Sequence, residues 1–191
     1  MSGVVIGPDE LARCPWAGST PEYIEYHDKE WGRPLKGDDA LYERVCLEAF
    51  QSGLSWLTIL RKRPAFRAAF AGFAIAQVAE FGDKDVERLL ADAGIVRNRA
   101  KIDAAITNAR AAAALPDGLS ALIWSHAPEP GPAPTGVGQV PAVTEASTAL
   151  AKALKKSGFR FVGPTTCYAL MQACGLVNDH LADCHVRRAG G

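Results

Sequence analysis

The sequence predicts an all-α protein. Three observations carry that expectation. Alanine is abundant while runs of Val, Ile and Thr are scarce, a composition that favours helix. Apolar residues recur at helical spacing behind residues suited to capping. No stretch reads as a β-hairpin or as a strand–helix–strand unit.

Taken in order, residues 14–34 are rich in aromatics and turn formers and suggest an irregular lobe with a short helix near 21–29. Asp38 or Asp39 can cap a strong helix in which Leu41, Tyr42, Val45, Cys46 and Ala49 follow at helical spacing, and Gly53 ends or bends it. A second helix is expected over about Ser55–Leu60. Arg63–Pro64 begins another, with Phe66, Phe70 and Phe73 on its apolar side. Two short helices follow near 75–80 and 83–92, the latter capped by Asp83 and closed by Gly94. Asn98–Ala114 reads as a long helix facing the core with Ile102, Ala105, Ile106 and Ala109. Residues 127–141 hold five prolines and three glycines and read as a surface loop open to disorder or insertion. Thr144–Lys156 is helical, 157–163 connects, and Pro164 or Thr165 opens a last long helix reaching Cys174.

With 191 residues the chain fits one domain or two small intimate lobes. No apolar run reaches the roughly 18 residues of a membrane span. Met1–Leu11 lacks a basic stretch followed by an apolar one, so the expected address is cytoplasmic, and nothing points beyond a monomer. Five cysteines, an odd number, argue against a disulfide framework. Lys plus Arg (21) balances Asp plus Glu (21), which excludes a strongly basic nucleic-acid binder. Charge is nonetheless clustered: Arg61, Lys62, Arg63 and Arg67; Arg97, Arg99 and Lys101; and six basic residues against two acids from Ala151 onward. Each cluster is either a solvated helix face or part of one phosphate-binding surface.

Three constellations carry chemistry. Cys14, His27, His180 and Cys184 offer two thiolates and two imidazoles, a set that suits a closed, structural tetrahedral Zn²⁺ site. The pairs are far apart in sequence, so unrelated thiols and surface histidines remain the alternative, and His185 is a possible substitute ligand. Cys46, Cys167 and Cys174 lie on apolar faces and read as core. Leu154–Thr166 joins two helices through a short turn with two glycines. There Gly163 precedes a helix N-terminus that can receive a phosphate; an ordinary helical corner is the alternative. Finally, Glu48 falls at the margin of an apolar helix arc, close in sequence to Trp16, Tyr23, Tyr26, Trp31 and Trp56. A lone glutamate there can be a structural partner. Beside aromatic faces it can also receive a flat, cationic, N–H-bearing ring.

Six ordered segments resemble the 3-methyladenine DNA glycosylase I family, from about Arg13 to Cys184. They are Arg13-Cys14-Pro15-Trp16; Tyr23 to Gly32; Leu47-Glu48 with Gln51 and Gly53-Leu54-Ser55-Trp56; Asp92 to Ile102; Gly158-Phe159-Arg160-Phe161-Val162-Gly163; and Met171 to His180. The resemblance implies a helix-hairpin-helix glycosylase fold. A terminal lobe (1–36 plus 176–191) would be clipped by one zinc held by Cys14, His27, His180 and Cys184, beside a glycosylase domain over 37–175. It implies that Glu48 hydrogen-bonds the excised base between Trp16, Tyr23, Tyr26 and Trp56. Leu54, beside Gly53, would enter the gap left by the flipped nucleotide, and Gly158, Arg160, Gly163 and Thr165 would hold the backbone. The partner would be double-stranded alkylated DNA and the product free 3-methyladenine, released after base flipping. Departures from the family pattern are Pro15, Ala49-Phe50, Pro164 and the cysteine-poor stretch His185–Arg188. The hairpin carries Arg160 but no lysine, and 164–172 carries no acid. A monofunctional hydrolase is therefore expected, with Glu48 reading the base. A zinc-activated hydrolase and a non-catalytic DNA-binding module are the rivals.

Overall fold

The computed structural model describes residues 3–189. It is mostly helical: α1 (Pro21–Lys29), α2 (Asp38–Gln51), α3 (Trp56–Ala69), α4 (Ile75–Ala79), α5 (Asp83–Ala91), α6 (Arg99–Ala113), α7 (Gly118–Trp124), α8 (Glu145–Lys156), α9 (Pro164–Ala173) and α10 (His185–Arg188). A two-residue antiparallel pair, β1 (Val5–Ile6) with β2 (Ala12–Arg13), precedes them. The sequence shows no such hairpin because two residues are too few to display a period of two.

Helix α2 is the axis of the molecule. Every residue from Leu41 to Phe50 is buried, including Glu43, Arg44 and Glu48. A helix buried all round belongs to the core rather than to its edge, so Glu48 is not at a margin as its helical phase suggests. Helices α3, α4, α6, α7 and α9 all pack against it. The carboxylates predicted to cap α2 instead serve its neighbours: Asp38 accepts from the Ser120 N–H at the start of α7, and Asp39 from the Ile75 N–H at the start of α4. Gly37 holds the N-cap position of α2 at φ 96°.

Other elements depart from expectation in instructive ways. Ser55–Leu60 and the segment from Pro64 form one helix, α3, with Pro64 inside it. A proline there removes one hydrogen bond, but Ile59 and Leu60 before it and Phe66 and Ala69 after it are all buried, so tertiary packing keeps the axis intact. Phe73 leaves that helix through three left-handed residues, Ala71, Gly72 and Phe73, yet stays fully buried and stacks on Phe70 at 5.4 Å. Helix α5 is closed at its start by Asp85, which accepts from the Gly82 N–H, rather than by Asp83. Helix α7 has no clear sequence signature; it is a seven-residue segment anchored by Leu119 and Ile123.

Most apolar side chains form one core around α2. A second, small cluster of Cys14, Leu181, Cys184 and Val186 joins the two ends of the chain. The expected lobe boundaries at 1–2 and 190–191 lie outside the described residues. Residues 185–188 form the single helical turn of α10, with Val186 buried. Among the described residues no helix is long and apolar enough to cross a membrane.

Candidate active site

Four residues beyond Arg44 on α2, Glu48 looks into a cavity of about 320 Å³. One side is aromatic: Trp16, Tyr23, Tyr26, Trp31 and Trp56 all line it. Trp16 is the hub, edge-on to Tyr23 at 5.7 Å and to Trp31 at 5.1 Å, while Tyr26 lies 5.4 Å from Trp56. Tyr23 is fixed by accepting the Leu57 N–H through its hydroxyl at 3.0 Å. The five residues proposed from sequence to meet a base therefore do share one cavity.

Glu48 is 7% exposed and has no hydrogen-bond partner among the described residues. Burial disfavours its charged form and pushes its carboxyl up to about 8, with the charge of Arg44 pulling the other way. Trp56 Nε1 is buried without a partner among the described residues. Unsatisfied buried polar groups are rare and call for an explanation; Trp56 and Glu48 both line this cavity. The turn after α2 is set by Lys101. Its Nζ donates to the carbonyls of Phe50 and Ser52 at 2.9 and 2.5 Å, closing the helix end. Beyond it come Gly53, at φ 80° with open space around its Cα, and Leu54, which is 41% exposed.

The opposite wall comes from residues the sequence did not single out. Val137 and Val140 belong to the proline-rich segment that reads as a plain surface loop. That segment is tied down: Ala182 N–H donates to the Pro134 carbonyl, and Gln139 accepts from Thr135. Gln172 and Asp179 also line the cavity. Asp179 accepts from the Tyr168 hydroxyl at 2.6 Å and from Gln172 Nε2 at 2.9 Å, both on Oδ2. Helix α9 carries no acid, as its sequence says, yet the loop after it returns one to the cavity.

Cys14, His27, His180 and Cys184 converge, with one donor atom from each within 4.8 Å of all the others. His27 Nε2 and His180 Nδ1 are 3.2 Å apart; Cys184 Sγ is 3.5 and 3.6 Å from them. Tetrahedral zinc with usual bond lengths gives edges of roughly 3.3 Å for N–N and roughly 3.6 Å for N–S. The far ring nitrogens are also engaged. His27 Nδ1 lies 2.7 Å from Asp28 Oδ1, and His180 Nε2 lies 3.0 Å from the Trp31 carbonyl. Asp28 is gripped in turn by Arg13, which also pairs with Asp9. Hydrogen bonding from Cys14, His180 and His27 drives the Cys184 thiol far below its usual range, while Cys14 is raised by the same contact. His185 stands outside, bonded to Asp28.

Between α8 and α9, residues 157–163 make a tight turn with Gly158 at φ 96° and Phe161 at φ 56°. Gly163 is the N-cap of α9 and Pro164 its first residue, followed by Thr165; a Cβ on Gly163 would meet nothing within 4 Å. The missing side chain therefore serves no internal contact. Asn108, fully buried on α6, clamps the turn by accepting the Arg160 N–H at 2.7 Å and donating to the Arg160 carbonyl at 3.1 Å. These residues do not line the cavity.

The basic clusters divide. Arg61 pairs with Glu22, Arg63 with Glu30 and Arg67 with Glu43, while Lys62 caps the Ala93 and Gly94 carbonyls. The charged groups of that cluster, and Lys101, are all engaged within the protein. The side chains of Arg97, Arg99, Lys152, Lys155, Lys156 and Arg160 have no partner among the described residues.

Comparison with known proteins gives a consistent result. Residues 16–188 match the sequence model of a family described as methyladenine glycosylase. The chain is 49% identical over 180 residues to DNA-3-methyladenine glycosylase 1 of Escherichia coli (strain K12), covering 91% of this chain and 96% of that protein. Its backbone resembles a crystal structure of 3-methyladenine DNA glycosylase I with a TM-score of 0.87, 48% identity, and coverage of 91% and 98%. A single-residue variant of 3-methyladenine DNA glycosylase I in complex with 3-methyladenine aligns at a TM-score of 0.86 and 33% identity, covering 91% and 96%.

Proposed function

We infer the function from one premise: the chain belongs to the methyladenine glycosylase family. It is a DNA-repair glycosylase, a hydrolase of N-glycosyl bonds, that excises 3-methyladenine from alkylated DNA and leaves an abasic site. The observation that carries the reading onto particular residues is the unpartnered Glu48 carboxylate in an aromatic-walled cavity.

In this reading Glu48 accepts N–H bonds from the flipped base, while Trp16, Tyr23, Tyr26 and Trp56 hold the ring by stacking and cation–π attraction. Methylation at N3 makes adenine cationic and weakens its bond to the sugar, so recognition supplies much of what a neutral base would need from chemistry. The segment 145–173 is read as a helix-hairpin-helix. Gly158, Arg160, Gly163 and Thr165 meet the DNA backbone, and Gly53 and Leu54 enter the gap behind the flipped nucleotide. Ser157–Thr166 has no lysine, so the reaction ends at hydrolysis with no lyase step. The protein works as a cytoplasmic monomer, with a terminal lobe (1–36 plus 176–191) set against a 37–175 domain.

Cys14, His27, His180 and Cys184 have the chemistry and spacing for one structural Zn²⁺, which would cross-link the chain ends. Two thiolates and two imidazoles fill a tetrahedron and leave no position for water. The decisive experiment measures release of 3-methyladenine from methylated duplex DNA by the parent protein and by Glu48→Gln. The substitution should abolish most excision and weaken free-base binding while fold and metal content persist. Unchanged excision together with unchanged base affinity would remove Glu48 from the site.

A further inference from the structure

Arg44 is a buried charge with no place in the reading above. It is 7% exposed; Nη2 donates to Glu30 Oε2 at 2.6 Å, and Nη1 is buried with no partner among the described residues. Glu30 is shared, because Arg63 donates to both of its oxygens at 2.7 Å. Burial opposes the charge on Glu30, but hydrogen bonds from Arg63 and Arg44 hold its carboxyl down to about 2. Two guanidinium groups thus meet one carboxylate, and one positive charge is left over in a region largely closed to water. An uncompensated buried charge is strongly unfavourable, so an anion close by is required.

Glu48 is the residue placed to be that anion. It lies four residues after Arg44, on the same face of α2. The Arg44 guanidinium also sits 5.7 Å from the centre of the Tyr26 ring, which walls the Glu48 cavity. The other ionisable groups around Glu48 are Tyr26 and Tyr23 from α1, Cys14 before it, Cys174 at the end of α9, and Asp179 in the loop after α9; none is a cation. We propose that Arg44 is a positioning residue for Glu48: with Glu30 and Arg63 it forms a fixed counter-charge that favours the carboxylate form of Glu48, the form able to accept from the N–H groups of a cationic purine. The role in base binding rests on the reading of Glu48 given above, while the Arg44–Glu48 coupling stands on the arrangement of the side chains.

This explains how one pocket meets two demands. Burial alone drives Glu48 toward the neutral acid, which could donate a hydrogen bond but would repay little of the cost of desolvating a cationic ring. A neighbouring guanidinium offsets part of that burial cost without entering the cavity, so a cationic ring has less left to supply in drawing Glu48 to its charged form.

The test has two readouts. In base-free protein, the ¹³C signal of the Glu48 side-chain carboxyl is titrated in the parent, Arg44→Met and Arg44→Lys. Removing an opposite charge at this range raises a carboxyl by about one pH unit or more, so Arg44→Met should move the Glu48 midpoint up by that amount. Arg44→Lys should keep it within about half of that shift. The acid limb of kcat/KM for 3-methyladenine release should move by the same amount in the same direction. An unmoved midpoint in a folded Arg44→Met protein overturns the proposal, and so does an Arg44→Lys shift as large as that of Met. If Arg44→Met fails to fold, Arg44→Gln, which can still hydrogen-bond Glu30, replaces it with the same expected shift. Absence of any excision in the parent would fail the functional reading and leave the carboxyl titration to decide the coupling.

Discussion

Around the terminal cluster, both imidazoles have partners on each nitrogen: His27 reaches Asp28 at 2.7 Å, His180 reaches the Trp31 carbonyl at 3.0 Å, and their inner nitrogens face each other at 3.2 Å. In the cavity one element away, Glu48 has no hydrogen-bond partner among the described residues and Trp56 Nε1 is buried with none; behind the cavity, Arg44 Nη1 is buried with none. The first region is closed on itself, through Asp28, Arg13 and Asp9, as a scaffold is. The second is incomplete as it stands, as a binding site is before its ligand arrives. Both regions are built from α1: His27 turns toward the cluster while Tyr23 and Tyr26 turn toward the cavity. A closed region should lose stability when disturbed, and an incomplete one should lose function.

The largest effect expected from this contrast is at the closed region. Cys184→Ala should abolish stoichiometric metal binding and destabilise the fold by more than about 3 kcal/mol, a fall in melting temperature on the order of 10 °C. Metal analysis and thermal melts of purified protein measure both. A variant that loses its metal yet melts like the parent would show that the clip holds nothing together.

Glu48→Gln should behave in the opposite way, costing about a hundredfold or more in kcat/KM while stabilising the protein at alkaline pH. The sign follows from the carboxyl being raised to about 8 in the folded state against an ordinary value near 4.5. Below the ordinary value both states are protonated and Glu48 costs nothing. As pH rises toward 8 the unfolded chain ionises freely and the folded one does not, so parent stability falls; above 8 the penalty is constant. The variant should therefore be more stable than the parent above pH 8, by on the order of 5 kcal/mol at most, with the gain fading to nothing near pH 4. Equal melting curves across that range would mean that Glu48 finds a partner in solution that the structure does not give it.

Asn108→Ala extends the contrast to the 157–163 turn, proposed above to meet the DNA backbone. Asn108 closes two hydrogen bonds to Arg160 without lining the cavity. Its loss should cost about 1–2 kcal/mol in affinity for duplex DNA, roughly tenfold, with affinity for free 3-methyladenine unchanged. Calorimetry with each ligand separates the two. Equal loss of both would show that the turn and the cavity are one mechanical unit.

How far the sequence could be read depends on how local each signal is. Helices α2, α6, α8 and α9 follow from periodicity and local boundary residues within a single stretch; α6 and α8 are also capped by the residues just before them, Asn98 and Thr144, which accept backbone N–H groups at 3.1 Å. The cavity was legible on its aromatic side because Trp16, Tyr23, Tyr26, Trp31, Glu48 and Trp56 lie within about forty residues of one another. It was not legible on the far side. Val137, Val140 and Asp179 carry no local mark of a wall: Asp179 arrives with the loop after α9, and Val137 and Val140 with a segment tied to Ala182 through the Pro134 carbonyl. Likewise Asp38 and Asp39 look like caps for their own helix. That they cap α7 and α4 instead depends on contacts 82 and 36 residues away.

The smallest predicted effect concerns the charge clusters, whose sequence reading was left open between a solvated face and a phosphate surface. Arg61 and Arg160 look alike in sequence, each beside other basic or aromatic residues, but only Arg61 is paired, with Glu22 at 2.9 Å. An exposed pair of this kind contributes about 0–1 kcal/mol, so Arg61→Ala should change neither stability nor DNA binding measurably. Arg160→Ala, at a side chain with no internal partner, should weaken duplex binding several-fold. It should also reduce the slope of log affinity against log salt by about 0.9, the value for one lost phosphate contact. A salt titration of both variants decides it. If Arg61→Ala changes the slope and Arg160→Ala does not, the DNA lies against the α3 face, and the intramolecular pairs there are broken on binding rather than kept.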